Sequence, residues 1–519
     1  MNRVRLRPLA LGAACVAAAS CINIFEHVVV EDVRPPGPGD TVLVRSPVKA
    51  HLGDGSTIVY QRGVRVAPDE LLGPGERFAL GAAVSRPVTR VPLDSVAAME
   101  SFGNQVDAVP TVLASTVATA GGVFVVALAA AATFGSCPTF YTDSAGQAVL
   151  EAEGFSYSIA PLFERRDVDR LRATTAADGS LAMEVRNEAL ETHYLNHIEL
   201  LEVRHAGGEM IVPDGGGRAL LVGALRPLAG ATDRAGRDVS ATLRDVDGVY
   251  YATPADVVDA AREDDLTDHL DLRVPAPSGA DSVAVVLRLR NSLLNTVLLY
   301  DEILGASGAA ALDWMGRDMQ RIANAVELGQ WYSASMGMRV SVDDGTMLRP
   351  VSRLGDVGPI ALADLAVVVP TFGRDTVAVR LSFTADNWRI DRVAAGTALR
   401  RPAVRVVPAA VVRRDDGTAD DAALASLAEP DERYLVTTPG QHFTVRFTPD
   451  PVAGDSARTF LLASQGYYLE WVRGDWLRTA TRPGGFVPHD GTILAALRRW
   501  RAVQPEFERQ FHSSRVPVR

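Results

Sequence analysis

Apolar residues recur at every second position in many short stretches of this 519-residue chain, and turn-forming residues separate the stretches. Val283, Val285, Leu287 and Leu289 give the clearest example. A period of two places such side chains on one face of an extended strand, whereas a helix needs spacings of three and four. The Asp247-Gly248 pair is typical of a hairpin turn. The pattern therefore predicts a chain built mainly of β-strands.

One internal region and the C-terminal region have the longer apolar period of a helix. Met315, Met319, Ile322 and Val326 would share one helical face, which we expect to be packed against other elements. We predict a mainly β chain with a helical insert, a small N-terminal β-barrel, an apolar helical segment and β-sandwich-like domains. The predicted segments are 1–20, a signal peptide; 21–40, a lipidated cysteine and Pro/Gly spacer; 41–103, the small barrel; 104–135, the apolar segment; 136–290, a β domain; 291–337, the helical insert; 338–480, a second β domain; and 481–519, a helical tail.

The first 20 residues have the layout of a secretory signal peptide. Three arginines precede the short apolar run Leu9–Ala19, which is too short for an ordinary membrane span. Small residues then stand before Cys21, as in a bacterial lipobox, although Ala18 occupies the position where leucine is usual. We predict lipidation of Cys21 and anchoring in the bacterial cell envelope, facing the periplasm or the surface. The alternative is ordinary cleavage after Ala19, which would release a soluble product.

The segment Ala108–Phe134 contains no charged residue and is long enough to cross a bilayer. Its small residues and the central Gly121-Gly122 pair weaken that interpretation, and no arginine or lysine close to its ends sets an orientation. Three hypotheses stay open: a transmembrane helix, a glycine-broken hairpin buried in protein or dipping into the membrane, and an ordinary core helix. Under the first two, the small residues would let copies of the segment associate.

The charge balance and the absent motifs exclude several classes of function. The formal net charge is −11 and no basic face is evident, which argues against nucleic acid as a partner. Nucleophile elbows, zinc-protease motifs, Cys-x-x-Cys pairs and phosphate-binding glycine loops are missing from the sequence, and we predict no cofactor. The single lysine, Lys49, lies in no catalytic context. Cys137 would be alone after processing, so no intramolecular disulfide is expected.

A weak metal-site candidate lies in Glu191, His193 and His197. On a helix, the two histidines would share a face and could bind Zn²⁺ together with a carboxylate. On a strand, they would stand about 13 Å apart, at roughly 3.3 Å per residue, and could not share one ion. The following residues have a strand pattern, which favours surface or turn histidines over a metal site.

A second candidate is the aromatic group Tyr467, Tyr468 and Trp471. Exposed aromatic rings on a β-sandwich can stack on sugars or anchor a partner, whereas buried ones contribute to a core. Both interpretations stay open at this level.

Several short motifs resemble an uncharacterised family of bacterial envelope lipoproteins, whose mark is a Ser-Cys-Pro-x-x-Tyr motif after an apolar segment. The resemblance covers most of the chain after Ser136 and implies no activity or catalytic residue. The matching positions are Ser136 to Tyr141, Glu151 to Gly154, Asn187-Glu188, Glu191-Thr192, Val212 to Asp214, Ala231 to Asp238, Arg290 to Ser292 and Gly466 to Tyr468.

Three functional hypotheses follow from these features. The first is a non-enzymatic scaffold or binding lipoprotein, whose partners are the membrane and an envelope protein or glycan. The second is an envelope hydrolase, with or without a metal, that uses His193, His197 and nearby carboxylates. The third is a membrane-assembly component that oligomerises through Ala108–Phe134.

Overall fold

The computed structural model describes residues 41–79, 84–102, 137–397, 400–451, 457–479, 488–513 and 515–518. The signal peptide, Cys21, the spacer and Ala108–Phe134 lie outside these residues. The predicted fold class is confirmed, because strands make up 46% and helices 20% of the structure. Among the described residues, every helix is too short or too polar to cross a membrane.

The described residues form 28 strands. In chain order they are β1 (Val42–Val44), β2 (Val48–Leu52), β3 (Thr57–Tyr60), β4 (Val64–Val66), β5 (Glu70–Phe78), β6 (Ser85–Pro92), β7 (Val96–Ser101), β8 (Thr139–Ser144), β9 (Gln147–Glu153), β10 (Arg165–Arg170), β11 (Leu181–Arg186), β12 (Glu191–His205), β13 (Met210–Pro213), β14 (Ala219–Val222), β15 (Leu225–Pro227), β16 (Gly230–Asp233), β17 (Thr267–Pro275), β18 (Ser282–Asn291), β19 (Met338–Asp343), β20 (Leu348–Leu354), β21 (Ala363–Pro370), β22 (Thr376–Thr384), β23 (Trp388–Gly396), β24 (Val404–Arg414), β25 (Leu435–Thr437), β26 (His442–Phe447), β27 (Ala457–Glu470) and β28 (Val472–Arg473).

Most of the longer helices lie in the predicted insert and in the tail. The α-helices are α1 (Ala255–Asp259), α2 (Leu294–Val297), α3 (Ala311–Gly316), α4 (Ile322–Met336), α5 (Asp421–Leu427), α6 (Gly474–Leu477) and α7 (Asp490–Ser513). A π-helix, Leu298–Gly305, continues α2 directly.

The N-terminal strands form an antiparallel half-barrel with the order β1-β4-β5-β3-β2-β7-β28, and β6 pairs with β5. The region therefore matches the small β-structure predicted for residues 41–103. Its last strand, β28, comes from the far end of the chain and pairs with β7 through Val472 and Arg473. A cluster of buried apolar side chains fills the half-barrel and includes Trp476 of α6.

The two predicted β domains, residues 136–290 and 338–480, share their sheets. A nine-stranded sheet has the order β10-β27-β12-β24-β26-β11-β8-β9, with β25 on β12, and so combines strands from both ranges. Strands β15 to β23 lie between β12 and β24 in the chain. They form a four-stranded sheet, β15-β23-β18-β21, and a five-stranded sheet, β16-β17-β22-β19-β20. These two sheets contribute to one buried apolar cluster, as in a β-sandwich.

The helical insert departs from its predicted packing. Met315 and Met319 are buried, whereas Ile322 is 72% and Val326 is 51% exposed. The four residues do not share one helix, because the chain leaves α3 at Gly316 and starts α4 at Ile322. The break rotates the second pair of side chains away from the core.

Candidate functional site

A cavity of about 1010 Å³ lies where the nine-stranded sheet meets the helical insert. Its walls come from β10 and the 3₁₀ turn before it, from α2 and the π-helix, from α4, and from the loop Gly355–Pro359. This volume is at the upper end of the roughly 300–1,000 Å³ typical of small-molecule sites. The fold therefore places a candidate binding site at the junction of several chain regions.

The carboxyl group of Asp356 is the polar centre of one wall. It accepts hydrogen bonds from Asn291 Nδ2 at 3.1 Å, from Asn295 Nδ2 at 2.9 Å and from the hydroxyl of Tyr332. Burial raises the pKa of Asp356 to about 6, against the opposing effect of these three donors. The amide oxygen of Asn291 in turn accepts the Val357 N–H at 2.9 Å. The network fixes the insert and the loop relative to each other.

The same loop is held from the other side by Glu153 at the end of β9. Its Oε2 accepts the N–H groups of Ile360 at 2.7 Å and Ala361 at 3.2 Å. Gly358 lies against this carboxyl group with a φ of +89°, and a Cβ there would stand 2.4 Å from the Glu153 carboxyl carbon. Only glycine combines this backbone conformation with this close approach.

One residue of the cavity wall, Glu191, belongs to a pair of buried carboxyl groups. Glu191 and Glu470 are directly opposite each other on β12 and β27, and Glu191 lines the cavity. Burial raises the pKa of both groups, and a hydrogen bond joins the two carboxyls. The pair therefore retains a proton at neutral pH. Arg473 lies 4.0 Å from Glu470 Oε1, and its guanidinium stacks on Tyr300 at 4.6 Å.

Two guanidinium groups stand at the cavity opening. Arg165 stacks over the ring of Tyr157 at 4.2 Å, and Arg353 donates to the carbonyl oxygens of Ser333 at 2.5 Å and Ala334 at 2.9 Å. Both arginines are exposed. They bring two positive charges to a lining that also contains the carboxyl groups of Asp167, Asp214 and Asp356.

Apolar and aromatic side chains make up much of the remaining wall. Phe163, Trp314 and Trp331 line the cavity and belong to one apolar cluster. Leu162 and Val326 also line it and are 45% and 51% exposed, so part of the opening is apolar. A ligand in the cavity would meet aromatic rings and polar groups together.

The structure keeps two residues of the predicted metal candidate together, Glu191 and His193, and gives His197 different partners. All three lie on β12, with a bulge between Leu195 and His197. His193 Nε2 is 3.2 Å from Glu191 Oε2, and burial lowers the pKa of His193 to about 3, so its ring is neutral. His197 instead has Nδ1 at 2.9 Å from the Leu427 carbonyl oxygen. Within the described ranges, no group of three histidine, cysteine or acidic residues is arranged to hold a metal ion.

The three predicted aromatic residues are all buried and have different surroundings. Tyr467 stacks on Tyr194 at 4.6 Å, and Trp471 stacks on His51 at 3.9 Å. Tyr468 lines the cavity and donates its hydroxyl hydrogen to the Ser156 carbonyl oxygen at 3.1 Å. Of the three, Tyr468 is therefore the one that lies at the candidate site.

Sequence reasoning missed Asp356, Tyr332 and Arg165. The glycines on either side of the Asp356-Val357 pair were an available signal of an acidic residue held in a tight loop. Several positions that carry the family resemblance do meet here, because Asn291, Glu191 and Tyr468 line the cavity.

No family model and no curated protein matches the chain. Among solved structures, a cycloalternan-forming enzyme from Listeria monocytogenes in complex with a pentasaccharide substrate aligns with 50% of this chain at 11% identity and a TM-score of 0.16. A GH31 alpha-xylosidase from Xanthomonas citri aligns with 83% at 9% identity and a TM-score of 0.17. The chain spans 22% and 38% of the length of those two proteins. TM-scores this low do not establish a shared fold.

Proposed function

We propose that this protein is an envelope-anchored lipoprotein that binds a glycan fragment in the cavity and does not alter it chemically. The observation that carries the proposal is the composition of the cavity wall, in which aromatic rings occur together with amide, carboxyl and guanidinium groups. Sugars present apolar C–H faces, which pack on aromatic rings, and hydroxyl groups, which need hydrogen-bond partners. A volume of about 1010 Å³ is large enough for more than one sugar ring.

The rigidity of the polar wall also supports binding. The carboxyl group of Asp356 already has three donors, and Glu153 fixes the adjacent loop through two backbone N–H groups. A wall ordered before the ligand arrives loses less conformational entropy on binding. The proposed lipid at Cys21 would keep this cavity close to the cell-wall glycans of the envelope.

The test is isothermal titration calorimetry of the full-length protein in detergent with cell-wall disaccharide and with chitotetraose. We expect saturable binding of at least one of them, weakened tenfold or more by Trp331→Ala, which removes an aromatic wall. Tyr467→Phe is the matched control, because Tyr467 is a buried aromatic residue outside the cavity. Lack of binding, or equal binding by Trp331→Ala, would contradict the proposal.

A glycan hydrolase is the second candidate, and one observation favours it. Glu191 lines the cavity and burial raises its pKa to about 8, so it is protonated at neutral pH as a general acid must be. Chromatography of chitotetraose after overnight incubation tests this candidate. Shortened products that disappear in Glu191→Gln would replace the binding proposal with catalysis.

A further inference from the structure

Two guanidinium groups at the cavity differ from most other arginines of the described chain in having no carboxylate within 4.0 Å. They are Arg165 and Arg353, which both line the cavity. Their neighbour Arg166, by contrast, pairs with Glu199 at 2.8 Å. Stacking on Tyr157 orients the plane of the Arg165 guanidinium and leaves its edges available for hydrogen bonds.

The carboxyl groups that face Arg165 have their oxygens occupied by protein donors. Asp167 accepts the N–H groups of Phe155 at 3.1 Å and Val168 at 2.9 Å, and Asp356 accepts its three side-chain donors. Burial raises the pKa of Asp167 and of Asp356 to about 6, and the charge of Arg165 opposes the rise in both.

A second arginine lies beside Arg353. Arg339 stands opposite it in the β19–β20 pair, and burial together with the charge of Arg339 lowers the pKa of Arg353. The backbone carbonyls of Ser333 and Ala334 both accept from Nη1 of Arg353. The edges of the Arg165 guanidinium and the remaining N–H groups of Arg353 are donors at the cavity, and a ligand rich in acceptors complements them.

We infer that the cavity binds a glycan fragment that carries a carboxylate or a phosphate, and that Arg165 and Arg353 hold this anionic group. The inference rests on the proposed function, since it names the class of glycan that the same cavity takes. A planar guanidinium binds both anions through two parallel N–H···O bonds, which lysine cannot reproduce. Neutral sugars would pack on the aromatic wall but would lack the two N–H···O bonds that an anion forms with a guanidinium group.

The experiment compares three matched ligands by calorimetry on the full-length protein in detergent. They are N-acetylglucosamine, N-acetylmuramic acid and N-acetylglucosamine 6-phosphate, so that the neutral parent is tested beside one carboxylate and one phosphate. We expect at least one acidic sugar to bind tenfold or more tightly than the parent. The acid that binds more tightly identifies the source of the anion, and added salt should weaken its binding more than that of the neutral sugar.

Substitution of Arg165 tests the assignment of the residues. Arg165→Gln should reduce the affinity for the acidic sugar to that for the neutral sugar. Arg165→Lys should restore part of the difference between the two affinities. Arg62→Gln is the matched control, because Arg62 is an exposed arginine of the half-barrel that does not line the cavity. An unchanged preference for the acidic sugar in Arg165→Gln would overturn the assignment.

The failures of the two proposals are distinguishable. Equal binding of neutral and acidic sugars, weakened for both by Trp331→Ala, would overturn the anion inference and leave glycan binding in place. Absence of binding for all three sugars, for cell-wall disaccharide and for chitotetraose would overturn both proposals.

Discussion

The single lysine of the chain forms a buried ion pair whose removal we expect to be costly. Lys49 Nζ lies 3.1 Å from Glu100 Oε1, and the two side chains are 7% and 1% exposed. Glu100 also contacts His51 Nε2 at 3.3 Å and accepts the Thr192 hydroxyl at 2.5 Å. These partners together hold the pKa of Glu100 well below its usual range despite burial. Lys49→Met keeps much of the side-chain volume and removes the charge.

Removing one partner of a buried ion pair lowers the free energy of unfolding by about 3–5 kcal/mol, because the charge of the other partner stays buried without compensation. Glu100 keeps its contacts with His51 and Thr192 in the variant, so we expect a loss of about 3 kcal/mol at pH 8. Burial is the main cause of the lowered pKa of His51, and Lys49 lowers it further. Removing Lys49 therefore raises the pKa of His51. A lowered folded pKa makes His51 cost stability as the pH falls, and this cost is smaller in the variant, whose His51 pKa is less lowered. The loss caused by Lys49→Met should therefore shrink at pH 5.5.

Hydrogen exchange of the β2 and β7 amides measures this loss where it occurs. A loss of about 3 kcal/mol corresponds to exchange on the order of 100-fold faster after correction for intrinsic rates. The double variant Lys49→Met/Glu100→Gln is the control and should recover most of the protection, because no buried charge is left unpaired. Three results would refute the reasoning. They are a loss of stability in Lys49→Met below about 1 kcal/mol, an equal loss at both pH values, and amide protection in the double variant as low as in Lys49→Met.

Three further predictions concern other parts of the molecule. Cys21→Ser should abolish incorporation of radioactive fatty acid, and equal labelling would contradict lipidation. Gly358→Ala should lower stability by on the order of 2 kcal/mol in urea denaturation, because it combines positive φ with a clash against Glu153; an unchanged midpoint would contradict this. Burial raises the pKa of Glu191 from 4.5 to about 8, so this residue destabilises the fold increasingly as the pH rises between these two values. The melting temperature of Glu191→Gln should therefore be higher than that of the parent at pH 9 but not at pH 4. A lower melting temperature than the parent at pH 9 would contradict this.

The sequence pattern was sufficient to predict single strands, because the alternation of side chains along a strand depends only on neighbouring residues. The alternating Val283, Val285, Leu287 and Leu289 do form one face of β18, and all four are buried. The residues between them are apolar as well, because the second face of β18 packs in another cluster with Val222 of β14. Periodicity located this strand without showing that it is central and covered on both faces.

Sheet membership could not be read from the sequence, because long-range pairing leaves no local signature. Leu200 of β12 pairs with Leu462 of β27 and with Val407 of β24, both more than 200 positions away. The nine-stranded sheet therefore combines strands from both sides of residue 290. The cavity was missed for the same reason, since Asn291 and Asp356 come together through the pairing of distant strands and the return of the chain after the insert.

The alternation of side chains on β12 connects the half-barrel to the cavity. Glu191 lines the cavity, whereas the next side chain, Thr192, donates to Glu100 of the half-barrel and accepts the indole N–H of Trp471 at 3.0 Å. On the opposite strand, Glu470 hydrogen-bonds to Glu191 and Trp471 stacks on a histidine of β2. Successive residues of β12 thus face the cavity and the half-barrel in turn. Because Thr192 binds Glu100 while Glu191 lines the cavity, we expect loss of the Lys49–Glu100 pair to disturb the position of the Glu191 carboxyl as well.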